Sequence, residues 1–481
     1  MVYLDNAATT RTSPAAMDAM AHVMAGDAFA NPSSQHAAGD AALRALEEAR
    51  REVAACLRSR PSEVEWVSCG TEANNQALLT GAAYGAREGR RHIVASAVEH
   101  PSVLRMLERL ASADGPFGGG FDVTLVRPDE TGVVGVASVK EALREDTCLV
   151  SLMYANNEVG AIQPVRDVCR MCRKRAILFH TDAVQAAGHV PIDFTRDGFD
   201  MLSVSAHKFH GPRGVGALLC SKRVVPAPLL LGGAQERGHR AGTVNVAGAA
   251  GMACALREAC EGLGDSASRV EALRARLVSR LTEAGGVRVL GPQEPSLRLP
   301  GIVALALEGV DHESALVLLD EAGVCVRAGS ASTVSTISTV STAAGLAGSA
   351  GSAVSIAASA TASATASATT SATASTGASA TASAASATTS ATLAASTAST
   401  ASTALTASTA VLACASGRAS AVGCAAIFTS TATGCDAVGS SGREAVWMGR
   451  AGSSALGAWA ASWGAWGASA ASWGAWGAWG A

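Results

Sequence analysis

The stretch Ser203-Val204-Ser205-Ala206-His207-Lys208-Phe209-His210-Gly211-Pro212 decides the reading of this chain, together with His180-Thr181-Asp182-Ala183-Val184-Gln185 upstream. Each follows or includes a short apolar run of strand character, at 176–180 and 201–204, and passes at once into polar residues. Polar groups placed just past buried strands face the crevice where open α/β sheets collect ligands. A lysine that follows Ser-x-His, precedes a Gly-Pro-x-Gly turn and lies 26 residues beyond an acidic residue suits a pyridoxal phosphate site. There the lysine carries the cofactor as a Schiff base. The carboxylate keeps the pyridine nitrogen protonated, so that the ring can absorb electrons from a substrate carbanion.

Outward from this stretch, the first 330 residues alternate between helix-like and strand-like segments. Residues 37–57 carry apolar side chains at helical spacing among Arg and Glu. Residues 63–68 form a short strand that runs into Cys69-Gly70-Thr71-Glu72 and a helix to about Tyr84. Further strands are predicted at 92–97, 148–153, 176–180, 201–204 and 214–220, mostly apolar on both faces as buried parallel strands are. A covered, mostly parallel α/β sheet follows. From about Ala255 one long amphipathic helix, with Val270, Leu273, Leu277 and Leu281 in step, leads to a smaller unit with strands at 287–290, 301–307 and 324–327. The expected organisation is a large domain over 15–255, a partial small α/β domain over 256–331 with 1–14, and a low-complexity tail over 332–481.

Composition limits the function classes. The formal net charge of −3 gives no bulk electrostatic reason for a nucleic-acid or membrane partner, and neither is expected. No apolar run is long enough to span a bilayer. Twelve cysteines scattered without a repeated spacing suit a reducing compartment, and the cytoplasm is expected. Met1 is followed directly by strand-like Val2-Tyr3-Leu4, so no cleaved leader is expected. Beyond Ser330 the only charged residues are Arg418, Asp436, Arg443, Glu444 and Arg450. From Ser332 to about Ala410 the chain is almost wholly Ala, Ser and Thr, and it ends in Ser-Trp-Gly-Ala-Trp-Gly-Ala repeats. Such text lacks the large aliphatic side chains that offset conformational entropy, so little stable structure is expected there. It reads as compositional drift, such as out-of-frame translation, in preference to an interaction segment.

Other candidates each admit a plain alternative. Gly70-Thr71-Glu72 presents backbone N–H groups and a hydroxyl at a helix start, where a phosphate is favoured, or simply caps the turn. His100, between a strand and a proline-started helix, stacks on a planar ring and exchanges protons, or is an ordinary loop histidine. Asn156-Asn157-Glu158-Val159-Gly160 offers an amide to a phenolic oxygen, or closes a turn. Gln185 reaches the same oxygen, and Ser205 and His207 flank Lys208 closely enough to bind phosphate.

Taken in order, these segments resemble the NifS/IscS group of cysteine desulfurases, in the class-V aminotransferase family. The resemblance is carried by Tyr3-Leu4-Asp5-Asn6-Ala7-Ala8-Thr9-Thr10, Asn31-Pro32-Ser33-Ser34-Gln35-His36, Gly70-Thr71-Glu72-Ala73-Asn74-Asn75 and Glu99-His100-Pro101-Ser102-Val103. It continues in Asn156-Asn157-Glu158-Val159-Gly160, the Asp182, Gln185 and His207-Lys208 segments, and Gln235-Glu236-Arg237-Gly238-His239-Arg240-Ala241-Gly242-Thr243, and covers roughly residues 1–331. It implies a fold-type-I pyridoxal 5'-phosphate enzyme, usually a homodimer. Such an enzyme takes sulfur from L-cysteine, releases alanine, and passes the sulfur to an iron-sulfur scaffold or another acceptor. By position, it implies that Lys208 is the Schiff-base lysine, Asp182 the pyridine partner, Gln185 and Asn157 neighbours of the ring oxygen and substrate, and His100 the stacking acid/base. It also implies phosphate binding by Gly70, Thr71, Ser205 and His207, with Thr243 reaching the phosphate of the neighbouring subunit.

The departures matter equally. Where the family has Gly-Ser-Ala-Cys, with the cysteine thiolate attacking the substrate sulfur, this chain has Gly329-Ser330-Ala331-Ser332. A serine hydroxyl is far less ionised than a thiol and cannot store sulfur as a persulfide, so Ser332 predicts impaired activity at the catalytic position. Cys325 lies within a predicted strand and reads as a buried small hydrophobe. Beyond this loop nothing matches the family's substrate-carboxylate arginine: the nearest later arginine, Arg418, stands in low-complexity text with no matching motif. Cys169 and Cys172 lack a second pair and read as a helix face, so no metal is expected. The alternatives are a non-catalytic cofactor-binding relative, or another lyase or aminotransferase on the same fold.

Overall fold

The computed structural model describes residues 1–329 and the strand at 352–357. In chain order its strands are β1 (Val2–Tyr3), β2 (Val64–Val67), β3 (His92–Ser96), β4 (Asp122–Val126), β5 (Thr147–Ser151), β6 (Leu178–Asp182) and β7 (Met201–Ser205). They continue with β8 (Gly216–Cys220), β9 (Val287–Leu290), β10 (Ile302–Leu307), β11 (Val324–Cys325), β12 (Arg327–Ala328) and β13 (Ser352–Ala357). The helices are α1 (Pro14–Ala25), α2 (Ala37–Cys56), α3 (Gly70–Glu88), α4 (Pro101–Ala111), α5 (Val136–Ala142), α6 (Val165–Lys174), α7 (Phe194–Asp197), α8 (Val246–Glu261), α9 (Leu263–Glu283) and α10 (His312–Glu321).

Seven strands form the main sheet in the order β2-β8-β7-β6-β5-β3-β4. The pairs from β7 through β6, β5 and β3 to β4 are all parallel, while β8 runs antiparallel to both its neighbours. The parallel strands therefore end along one edge, which holds Ser96, Ser151, Asp182 and Ser205. Residues of β3, β5, β6 and β7 are buried on both faces almost throughout, as a sheet covered by helices on both sides requires. Phe179 of β6 packs its ring 5.9 Å from that of Phe199, within a core that also holds Trp66, Phe194 and Leu202. Each such buried aromatic contributes roughly 2 kcal/mol by leaving water.

Local sequence explains the helix starts that face this edge. Ser13 caps α1 by accepting from the Ala16 N–H at 3.1 Å, with Pro14 at the first helical position. His100 caps α4 in the same way, ahead of Pro101. In α2 the buried residues Ala42, Leu46, Ala49 and Val53 recur at helical spacing and turn toward α8.

A second sheet, β12-β13-β10-β9, is antiparallel throughout, and β1 pairs in parallel with β11 through Val2↔Val324 and Tyr3↔Cys325. Four features differ from the sequence expectation, the first being the edge strand β4, for which no strand was expected. The helix expected from about Ala255 is two helices, α8 and α9, which meet at Gly262, whose N–H closes α8 on the Glu258 carbonyl. The strand expected at 324–327 divides into β11 and β12, which pair with different partners. β13 lies in the Ala/Ser/Thr-rich stretch where little structure was expected; its full pairing with β10, from Ile302↔Ala357 to Leu307↔Ser352, completes the second sheet. Among the described residues, no helix is long and apolar enough to cross a membrane.

Candidate active site

Four chain segments meet where β3, β5, β6 and β7 end. Asp182 closes β6, buried at 5% exposure. Its Oδ1 accepts from the Val184 N–H at 2.9 Å and its Oδ2 from Asn74 Nδ2 at 2.6 Å. Asn74 lies one helical turn after Gly70, so the start of α3 delivers it to the sheet edge. Its amide nitrogen also donates to Ser102 Oγ at 2.9 Å, and Ser102 Oγ stands 2.7 Å from His100 Nδ1. The Ser102 N–H donates to that same Nδ1 at 3.2 Å. With two donors on Nδ1, the imidazole proton belongs on Nε2. His100 is open to solvent on one side, yet the protein packed around it disfavours the imidazolium and lowers its pKa, with the Lys208 and Arg327 charges acting in the same sense.

Lys208 follows β7 in a short 3-10 turn, Ala206–Lys208. Its ammonium donates to the Ala7 carbonyl, which also accepts from Gln185 Nε2 at 2.8 Å. Burial, and then the Arg327 charge, lower the Lys208 pKa to about 8, against the opposing pull of Asp182 and Asp5. The Asp182 charge thus acts on the Lys208 ammonium, and the shared Ala7 carbonyl ties Lys208 to Gln185, three residues past Asp182. The N-terminal segment is pinned across it: the Thr10 N–H and hydroxyl both donate to the His207 carbonyl at 2.9 Å, and Thr9 Oγ1 lies 3.2 Å from His207 Nδ1. Burial beside Lys208 lowers the His207 pKa to about 4.

On the other flank, the start of α3 closes on Ser205. A Cβ on Gly70 would lie 2.7 Å from Val184 Cγ2 and 3.5 Å from Ser205 Cβ, so only glycine allows this approach without displacing Val184. Ser205 Oγ is buried and has no hydrogen-bond partner. Thr71 is exposed beside it on the first turn of α3. An orphaned hydroxyl next to the N-terminus of a 19-residue helix fits an anionic phosphate, and the Asp182 carboxylate fits a ring N–H at the other end of the same ligand. The residues present therefore fit pyridoxal phosphate.

Of the sequence-derived candidates, Lys208, Asp182, Gln185, His100, Ser205, His207, Gly70 and Thr71 converge here. Asn157 joins them through its backbone, its carbonyl accepting from Arg327 Nη2 at 2.8 Å. Thr243 does not: it is exposed in the loop after Gly242, with no hydrogen bond to any of them among the described residues. Ser332 and Arg418 lie outside the described residues. Cys325 is half-buried instead of buried. Cys169 and Cys172 are buried on α6, and no group of three or more potential metal-ligating side chains occurs among the described residues. Sequence reasoning gave no role to Asn74, Ser102 or Arg327. The first two stand inside motifs already quoted, and Asn74 falls on the same helix face as Gly70. Arg327 offered no signal beyond standing two residues before Gly329.

The class-V aminotransferase family model matches residues 2–363. This chain belongs to that family. It is 41% identical over 333 residues to the putative cysteine desulfurase IscS 1 of Bacillus subtilis, covering 69% of this chain and 85% of the relative. With a cysteine desulfurase of Cereibacter sphaeroides the identity is 43% over 332 residues, 69% of this chain and 82% of the relative. Among solved structures, a NifS-like protein superposes with a TM-score of 0.68 at 36% identity, over 74% of this chain and 93% of that one. DndA from Streptomyces lividans gives 0.62 at 36% identity, over 74% and 99%. The α/β architecture with its mostly parallel sheet is thus the fold of the NifS-like family members, and the match to residue 363 takes in β13, which the motif-based resemblance, ending near 331, had left out.

Proposed function

We propose that this chain is a pyridoxal phosphate-dependent enzyme of the cysteine desulfurase type, acting on L-cysteine with reduced or no storage of sulfur on the protein. The single observation that carries the cofactor reading is the placement of Lys208 and Asp182 in one crevice, with the unpartnered Ser205 hydroxyl and the start of α3 beside them. Bound there, pyridoxal phosphate supplies an electron sink for a carbanion at the substrate Cα. Asp182, fixed by Asn74 and Val184, would hold a proton on the ring nitrogen; Ser205, Thr71, His207 and the α3 N–H groups would hold the phosphate; Gln185 and Asn157 would border the ring oxygen and substrate. Lys208, with its pKa near 8, takes a proton from Cα and returns it at Nζ close to neutral pH. His100 keeps its proton on Nε2, available toward the crevice.

Sulfur transfer is where the chain departs from its relatives. The position of the family's nucleophile is Ser332, and a hydroxyl neither attacks the substrate sulfur as readily as a thiolate nor holds a persulfide. The homodimer, a sulfur-acceptor or iron-sulfur scaffold partner, and the cytoplasm belong to the same reading.

The test is reconstitution of the full chain with pyridoxal phosphate. A visible absorbance band that is present in the wild type and lost in Lys208→Ala is expected. On addition of L-cysteine, alanine and sulfide are assayed separately, with Ser332→Cys alongside. The expected outcome is protein-bound persulfide at least about 100-fold slower in the wild type than in the Ser332→Cys variant, a factor of ten being about 1.4 kcal/mol of barrier. Persulfide formation at equal rates in both sinks the impaired reading. Failure to bind the cofactor sinks the enzyme reading.

A further inference from the structure

The crevice contains one more charged group. Arg327, on β12, extends toward Asp5 and Asn157, near enough for its charge to depress both Lys208 and His100. Its Nη2 donates to the Asn157 carbonyl at 2.8 Å. Its Nε is buried without a hydrogen-bond partner and stands 3.7 Å from Asp5 Oδ1, too far for a hydrogen bond. Asp5 Oδ1 is itself buried and without a hydrogen-bond partner. The pair is therefore an approach of charges and not a closed fork. Other buried or half-buried guanidinium groups are committed differently: Arg50 to Glu236, Arg240 to Glu72 and Arg298 to Glu271, each through two hydrogen bonds at 2.6–3.3 Å.

An amino acid reacting at Lys208 brings its carboxylate within two bonds of the reacting amino group. Leaving that carboxylate in a half-buried crevice needs a cation, and a planar guanidinium meets both oxygens at once. Arg327 has a donor to spare and only the loosely placed Asp5 to give up. We propose that Arg327 binds the α-carboxylate of the amino-acid substrate, with Asp5 occupying its place until substrate enters. The assignment rests on the reading of the Lys208 crevice as a pyridoxal phosphate site. It puts the substrate anchor before the Gly329 loop, within the family-matched part of the chain.

The experiment uses the full chain reconstituted with pyridoxal phosphate and follows the cofactor band while L-alanine or its carboxamide, L-alaninamide, is added. In the wild type, half-saturation by L-alanine is expected at a concentration at least about tenfold below that for the amide, which lacks the charge. Arg327→Gln should raise the L-alanine value on the order of 100-fold and leave the amide within about twofold, with Arg327→Lys between, since it keeps the charge but loses the fork. If Arg327→Gln responds to L-alanine as the wild type does, the assignment is wrong. A wild type with no preference for carboxylate over amide overturns it without any variant. A chain with no Lys208-dependent band overturns the cofactor reading and the anchor together, whereas an intact band with unchanged titrations overturns the anchor alone.

Discussion

The carboxyl group of Glu99, the residue before His100, is buried where β3 gives way to α4. Its Oε1 accepts from Ser96 Oγ and from the Met153 N–H, both at 2.7 Å, while Oε2 has no partner. It ties the turn that carries His100 to the segment that leads into Asn157. Burial pushes its pKa up to about 8, with Asp182 adding to the rise and the Ser96 and Met153 hydrogen bonds opposing it. A carboxyl that stays protonated in the native state up to about pH 8, but ionises near 4.5 when unfolded, makes the native state bind the extra proton between those values. Stability from this group is therefore greatest at the acid end of that window and falls as pH rises through it. Glu99→Gln keeps an acceptor for Ser96 and Met153 and removes the titration. Relative to wild type, the variant should gain a few kcal/mol between pH 5 and pH 8, one pKa unit being worth about 1.4 kcal/mol. Urea unfolding of both proteins at the two pH values checks this, and a difference that does not change with pH would show that Glu99 is already ionised in the native state.

Among the sheet elements, the three strands β5, β6 and β7 are clasped by His180. Its Nδ1 lies 2.9 Å from Ser151 Oγ and its Nε2 lies 3.0 Å from Ser203 Oγ, so one imidazole bridges both neighbours two residues before Asp182. Complete burial drives its pKa down to about 3. The unfolded chain protonates near 6.5 while the native histidine stays neutral, so the clasp loses stability as pH falls from about 6.5 toward 3. His180→Ala should cost about 2–4 kcal/mol at pH 7 by leaving two buried hydroxyls unpaired, and should flatten the acid limb of the stability curve. Thermal unfolding between pH 4 and pH 7 reads both effects; an acid limb as steep as the wild type's would assign it to other groups, such as His207. The strands of this clasp were legible in the sequence because each is a continuous apolar run that ends in polar residues. The antiparallel sense of β8 was not, because direction leaves no mark on a strand buried on both faces. β4 escaped notice as a partly exposed edge strand, and β13, Ser-Ala-Val-Ser-Ile-Ala, because its two β-branched residues are set in a long Ala/Ser/Thr-rich stretch and its pairing with β10 leaves no mark on that local composition. Arg327 was invisible for a similar reason: its role comes from the crossing of β12 over Asp5 and Asn157, segments far away in sequence.

At the scale of the whole molecule, the loop from Ser221 to Asn245 is anchored through Val224, Glu236 and Ala241 yet leaves large apolar side chains in water. Leu231 is 86% exposed, and Val225 and Leu230 are exposed with it. The Ala241 N–H meets the Leu230 carbonyl at 3.5 Å, which brings Thr243 close along the chain to the same apolar ridge. A threonine expected at a phosphate but exposed away from its own crevice, beside leucines left in water, is accounted for if a second copy covers the ridge and receives Thr243. Burying a leucine contributes roughly 2 kcal/mol, so each interface holds a pair of such contributions by symmetry. On the proposed homodimer, Leu231→Glu should therefore shift the protein toward monomer in analytical ultracentrifugation. It should also speed release of pyridoxal phosphate on dilution, because in that arrangement each site would lose a threonine supplied by the second copy. A variant that sediments as the wild type does would place the dimer contact elsewhere. One that dissociates yet keeps its cofactor as firmly as before would separate Thr243 from the phosphate and leave the apolar ridge as the dimer's only claim on this loop.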